Sequence, residues 1–236
     1  MKTVGIIGGL GPHTTANFYM KIILSCAEQN KIERPSILIY NVPITFVLEK
    51  NFILKGDTDE NIIPLLINAA QSLEKGGADF IVIPCNTVHI FIDEVRKSIN
   101  IRVLSIVEET TSFLRTKHIN EVGLLATPTT IKNKLYDSLL FEKGIKTEIP
   151  NKSQISVMAK IINNLVNNVS NKTDKNNFME IINSLEKKGV NSFLLACTDL
   201  QILNPKKRNL QIFDTMEILA NSTVRELLSN QNQKKC

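Results

Sequence analysis

The sequence predicts an α/β protein of two similar half-domains, each a parallel sheet flanked by helices. Strand-length apolar runs alternate with helix-length segments through its 236 residues, which implies parallel strands joined by crossover helices. One such run, Ile81-Val82-Ile83-Pro84, stops abruptly at Cys85-Asn86-Thr87-Val88-His89, and a near-copy, Phe193-Leu194-Leu195-Ala196, stops at Cys197-Thr198-Asp199. A second matched pair lies upstream: Val4-Gly5-Ile6-Ile7-Gly8 begins 81 residues before Cys85, and Val122-Gly123-Leu124-Leu125-Ala126 begins 75 residues before Cys197. Cys85 and Cys197 therefore hold equivalent places. If the halves face each other about a pseudo-two-fold axis, two thiols flank one cleft.

The first half opens with a buried strand over 2–8. Gly8-Gly9-Leu10-Gly11-Pro12 follows as a loop into a helix over 13–29, its glycines permitting a tight turn and close approach of backbone N–H groups to a ligand. Counted from Gly9, a dinucleotide fingerprint requires glycine at 14; Thr14 stands there instead. A strand over 36–41 leads to an irregular stretch with some helical character over 42–59, a placement typical of lids and specificity elements. A helix over 60–75, closed by Gly76-Gly77, precedes the strand 79–84 that delivers Cys85. A helix over 87–98, a strand over 102–105 and a helix over 107–117 complete this half.

The second half repeats the plan. A strand over 121–126 is followed by a helix over 131–143, a short strand over 146–149 and helices over 153–168 and 174–188. The strand 192–196 then delivers Cys197, a last strand covers 211–213, and a helix capped by Asp214 runs to about 230. The polar tail 231–236 is expected to fray.

Composition bounds the function. An apolar content of 43% supplies a core, and no uninterrupted apolar run reaches membrane-spanning length. Met1-Lys2-Thr3 runs straight into a strand pattern without a secretory signal, so a cytoplasmic protein with reduced thiols is expected. Cys26 reads as core and Cys236 as part of the tail. The net charge of +5 is spread along the chain, with Lys206-Lys207-Arg208 and Lys234-Lys235 as local clusters. No aromatic residues interleave with them to stack bases, which argues for a solvated surface and against a nucleic-acid partner.

Five segments, Gly8-Gly9-Leu10-Gly11-Pro12, Pro84-Cys85-Asn86-Thr87-Val88-His89, Glu108-Glu109-Thr110, Ala126-Thr127 with Thr130, and Ala196-Cys197-Thr198-Asp199, resemble in order and spacing the cofactor-independent aspartate/glutamate racemase family. The resemblance covers nearly the whole chain. It implies an active site in the cleft between the half-domains, a small amino acid as substrate, no cofactor, no metal and a homodimer. It returns the C-terminal helix to the first domain, giving domain one as 1–106 plus 211–236 and domain two as 107–210. A racemase needs acid/base groups on opposite faces of a planar carbanion, and Cys85 and Cys197 are the pair, one a thiolate base and the other a thiol acid. Each ends a strand ahead of helical sequence, whose N-terminal dipole favours a thiolate. The resemblance further implies that Leu10, Asn86, Thr87, Thr127, Thr130 and Thr198 bind the α-amino and α-carboxylate groups.

Other readings stay open at this level. Thr127 and Thr130 equally suit a helix cap ahead of Ile131. His89 tunes the thiolate, donates a hydrogen bond or is a buried structural histidine, and Asp199 is a second candidate for tuning. Cys85, His89 and Cys197 together offer three zinc ligands, although a strict spacing motif is missing. A non-catalytic amino-acid-binding protein and another cysteine-pair carboxylate isomerase or decarboxylase remain as alternatives. Two departures from the family pattern bear on specificity. Ala196 and Asp199 replace the usual glycine and glutamate, and the cations that aspartate-specific members use are missing: no arginine occurs between Arg34 and Arg96, and Val166 stands near the lysine position. An uncompensated buried carboxylate is costly, so a side chain other than that of aspartate is expected.

Overall fold

The computed structural model describes residues 1–29, 33–56, 58–205 and 209–229. Both basic clusters, the tail and Cys236 lie outside them. Val4, Ile6 and Ile7 are fully buried, as are Leu125 and Ala126, and strands with no solvent-facing side can only be central ones. In the first half, β1 (Thr3–Gly8) leads to α1 (Pro12–Gln29), β2 (Ser36–Asn41), α2 (Phe46–Leu54), α3 (Ile63–Lys75), β3 (Phe80–Val82), α4 (Ile92–Lys97), β4 (Arg102–Leu104) and α5 (Ile106–Thr116). The second half contains β5 (Glu121–Ala126), α6 (Pro128–Lys132), α7 (Asp137–Glu142), β6 (Lys146–Glu148), α8 (Lys152–Val166), α9 (Lys172–Glu186), β7 (Ser192–Ala196), β8 (Gln211–Asp214) and α10 (Thr215–Leu228). No helix among the described residues is long and apolar enough to cross a membrane.

The two sheets have the same topology, β2-β1-β3-β4 and β6-β5-β7-β8, with parallel pairing throughout. Their registers also match. Gly5 of β1 faces Ile81 of β3, and Gly123 of β5 faces Phe193 of β7. Each glycine is required by that neighbour, because a Cβ at either position would come within 2.7 Å of the facing side chain. Counted from the facing residue, Cys85 and Cys197 each come four positions later. The repeat is thus one of register as well as of sequence.

The chain divides into two compact units, one of Met1–Ile44, Glu60–Glu109 and the residues from Met216 onward, the other of Thr45–Asp59 and Thr110–Thr215. This differs from the expected division at 106 and 211. Strand β8 pairs with β7, so residues 211–214 belong to the second sheet, and only α10 after it joins the first unit. The stretch 45–59 also joins the second unit. The helical character expected there is a full helix: α2 is capped by Thr45, whose hydroxyl accepts the Leu48 N–H at 3.3 Å. Its apolar residues Phe46, Val47, Leu48, Phe52, Ile53 and Leu54 wrap around the helix without forming a single stripe, which hides it from a periodicity reading.

The expected helix over 131–143 is two helices. Lys134 adopts a left-handed conformation (φ 50°) that ends α6, and the fully buried Tyr136 precedes α7. The helical segment after each cysteine begins as a 3-10 turn, which continues directly into α4 after Cys85 and stands alone after Cys197. Thr87–Phe91 and Thr198–Leu203 are 3-10 turns of five and six residues, so the α-helical dipole expected at the thiols is reduced to that of a short turn.

Candidate active site

In each sheet the chain leaves the two central strands in opposite directions, β1 toward β2 and β3 toward β4, and likewise β5 toward β6 and β7 toward β8. Such a point of divergence opens a crevice at the carboxyl ends of the strands, the usual ligand position in open parallel sheets. In the first unit the loop 8–11 and Cys85-Asn86-Thr87 flank that point. In the second unit Thr127 and Cys197-Thr198 flank it.

The loop after β1 is locked from below. Thr15 Oγ1 accepts the Gly9 N–H at 3.0 Å and donates to the Gly11 carbonyl at 3.1 Å. Gly9 and Gly11 take φ of 82° and 96°, and a Cβ on Gly9 would sit 2.9 Å from the Val42 nitrogen, so the turn requires glycine there. The N–H of Gly9 is therefore engaged by Thr15, and the Leu10 side chain is buried. Thr15 has no signal in the sequence beyond lying four residues after Gly11.

Cys85 is half-buried, while Asn86 and Thr87 beside it are buried. His89 holds this segment to the start of α5. A backbone N–H can only donate, so the Ile106 N–H at 3.1 Å makes His89 Nε2 the acceptor; Nδ1 then carries the proton and donates to the Cys85 carbonyl at 2.7 Å. His89 is buried, and desolvation lowers its pKa to about 4 against the opposing pull of the Cys85 carbonyl. It is a neutral structural imidazole at pH 7. Both ring nitrogens are engaged by backbone, which removes it from the zinc arrangement considered with Cys85 and Cys197. Ser105 completes the junction: its Oγ accepts the N–H groups of Val107 and Glu108 at 3.2 and 3.3 Å.

In the second unit Thr127 is the N-cap of α6. Its Oγ1 accepts the Thr130 N–H at 3.2 Å and donates to the Thr130 hydroxyl at 3.0 Å. Both threonines are buried, so the capping reading describes what they do within this unit. Thr127→Ala is expected to lower stability by about 1 kcal/mol and Thr127→Ser to restore it, as read by urea unfolding. Cys197 is 8% exposed and packs in the apolar cluster of Leu125, Met158, Phe193 and Leu200. The buried Thr198 follows it, and Asp199 Oδ2 lies 3.9 Å from its sulfur. Glu49, within the stretch expected to be irregular, is half-buried on α2, and burial together with the charge of Asp199 raises its pKa. Cys26, Cys85 and Cys197 are all thiols outside any disulfide.

The chain as a whole has counterparts among known proteins. The Asp/Glu/Hydantoin racemase family model matches residues 7–223. The chain is 30% identical over 237 residues to the broad specificity amino-acid racemase RacX of Bacillus subtilis, covering 97% of this chain and 100% of that one. Among solved structures, an aspartate racemase from Picrophilus torridus superimposes with a TM-score of 0.80 at 26% identity, covering 96% of this chain and 94% of that one. An aspartate racemase homologue from Pyrococcus horikoshii gives 0.77 at 28%, covering 98% and 100%.

Proposed function

Since the chain belongs to the Asp/Glu/Hydantoin racemase family and is in that sense an isomerase, we propose that it racemises an amino acid with Cys85 and Cys197 as the two acid/base groups. The observation that carries this reading is the shared register: each thiol stands four residues past the neighbour of a strand glycine, at the divergence point of its own sheet. In one direction the thiolate of one cysteine takes the Cα proton, and the thiol of the other delivers a proton to the opposite face. The reverse direction exchanges the roles, and the pair ends each turnover with its protonation states interchanged. No pyridoxal or metal takes part in this scheme. Charge that develops on the substrate carboxylate is met by hydrogen-bond donors, for which we assign Asn86, Thr87, Thr130, Thr198 and the backbone around Leu10, with Thr127 orienting the Thr130 hydroxyl by donating to it. Asp199, close to the Cys197 sulfur, tunes that thiol. The side chain accepted differs from that of aspartate, because neutral residues stand where aspartate-specific members carry cations.

The test is Cα proton exchange followed by NMR in D2O on L- and D-aspartate, glutamate, asparagine, homoserine, alanine and lysine. Deuterium incorporation with appearance of the opposite enantiomer is expected for at least one of them and weakest for aspartate. Exchange of none, with thiols reduced, would sink the racemase reading while leaving the fold intact.

A further inference from the structure

Resting on the racemase reading, we propose that His89 is a positioning residue for the first thiol: by holding the Cys85 carbonyl it fixes the peptide plane between Cys85 and Asn86, and with it the direction in which Cys85 presents its sulfur. The argument begins with the ring. Nδ1 donates to the Cys85 carbonyl at 2.7 Å and Nε2 accepts the Ile106 N–H at 3.1 Å, so the imidazole is pinned at both nitrogens and its rotation is fixed. Its burial keeps bulk water from competing for either bond.

The far end of this strut is itself braced. Arg96 on α4 forms a two-pronged pair with Glu108, both bonds at 2.8 Å, and also donates to the Val103 carbonyl at 3.1 Å. Val103 and Glu108 lie on either side of Ile106 in the chain, and Ser105 Oγ accepts the N–H groups of Val107 and Glu108. The Ile106 N–H is thus held from both directions, and the imidazole carries that fixed point to Cys85.

The described residues contain no cis peptide, and in a trans peptide the carbonyl and the following N–H point in opposite directions within one plane. With its carbonyl drawn toward His89, this peptide directs the Asn86 N–H away from the imidazole, and the Cys85 Cα lies in the same plane. One bond therefore orients both the thiol and the residue that begins the donor set. The second half reaches the same end by other means. The Cys197 carbonyl accepts the Leu200 N–H at 3.1 Å, a main-chain bond, and Gln201 stands at the position equivalent to His89.

Two substitutions divide the two bonds of the ring. The glutamine amide of His89→Gln reaches about as far as Nε2 and can accept from Ile106, whereas the shorter amide of His89→Asn lies about where Nδ1 does and can donate to the Cys85 carbonyl. Cα exchange is measured on the fastest-exchanging amino acid among aspartate, glutamate, asparagine, homoserine, alanine and lysine, with rates expressed per folded molecule from urea curves of the same preparations. Each variant loses one bond, so a merely structural His89 would lower kcat equally in both. The expected result is a split: kcat falls by about 10- to 100-fold in His89→Gln with KM within about threefold of the wild type, and recovers to within about threefold of the wild type in His89→Asn. Equal kcat in the two variants, or a loss carried by KM alone, overturns the positioning role. Arg96→Ala keeps the imidazole and loosens the Ile106 end, which reads the same strut should the His89 variants not fold; its kcat should fall by about threefold or more, and an unchanged kcat there overturns the proposal. These results, obtained with an active wild type, bear on His89 alone. A wild type that exchanges none of the six amino acids overturns the racemase reading and this inference with it.

Discussion

Replacing either Cys85 or Cys197 with alanine is expected to lower racemisation by about 10² to 10⁴-fold, the usual contribution of a positioned acid or base. The two variants should differ in the activity they retain. With one thiol removed, the other still faces one side of Cα, so residual deuterium exchange should be confined to the enantiomer whose proton points to the surviving cysteine. Cys85→Ala and Cys197→Ala are then expected to keep exchange on opposite enantiomers. NMR in D2O with resolved L- and D-substrate reads this directly. Equal residual exchange on both enantiomers in either variant would rule out the two-thiol scheme. Amino-acid binding that persists in both variants while exchange vanishes separates loss of chemistry from loss of the site. The structural cost should also be unequal, because Cys197 packs in an apolar cluster whereas Cys85 is half-buried. Cys197→Ala leaves a cavity, and its destabilisation in urea should be the larger.

The second large effect concerns His89. Its pKa of about 4 lies below the ordinary histidine value of 6.5, so the unfolded chain binds a proton in a range where the native protein refuses it. Stability contributed by the neutral form is complete above pH 6.5 and is lost as the pH falls toward 4, after which the loss levels off. The pKa difference corresponds to about 3 kcal/mol over that window. Phenylalanine in place of His89 removes the titration together with the bonds to Cys85 and Ile106, and should cost about 2–3 kcal/mol at pH 7. The gap between wild type and variant should therefore be widest near pH 7 and narrow by pH 4, as read from urea midpoints at a series of pH values. A gap that does not change with pH would show that His89 titrates normally in the folded state.

The legibility of each feature in the sequence depends on the range of the interaction behind it. The strands at 36–41, 121–126 and 192–196 are visible because an apolar run of the right length between turn residues is a local property. So is the matched pair of cysteines, each at the end of such a run. Residue spacing alone could not show that the helix over 131–143 breaks at Lys134, since a left-handed residue leaves the apolar period almost undisturbed. Nor could it assign α2, whose apolar residues lie all round the helix, with Ile53 and Leu54 packed on a cluster far along the chain while Phe46 and Val47 stay exposed.

By itself the sequence determined the class of fold, the repeat, and the placing of Cys85 and Cys197 at equivalent strand ends, because strand length, helix period and motif order are written in consecutive residues. Tertiary structure decided which sheet receives β8, which ring nitrogen of His89 carries the proton, how Thr15 locks the glycine loop and that burial, with the charge of Asp199, raises the pKa of Glu49. Each of these depends on a partner distant in the chain or on burial. Hydrogen-bond direction and desolvation acquire a value only when those groups have been brought together.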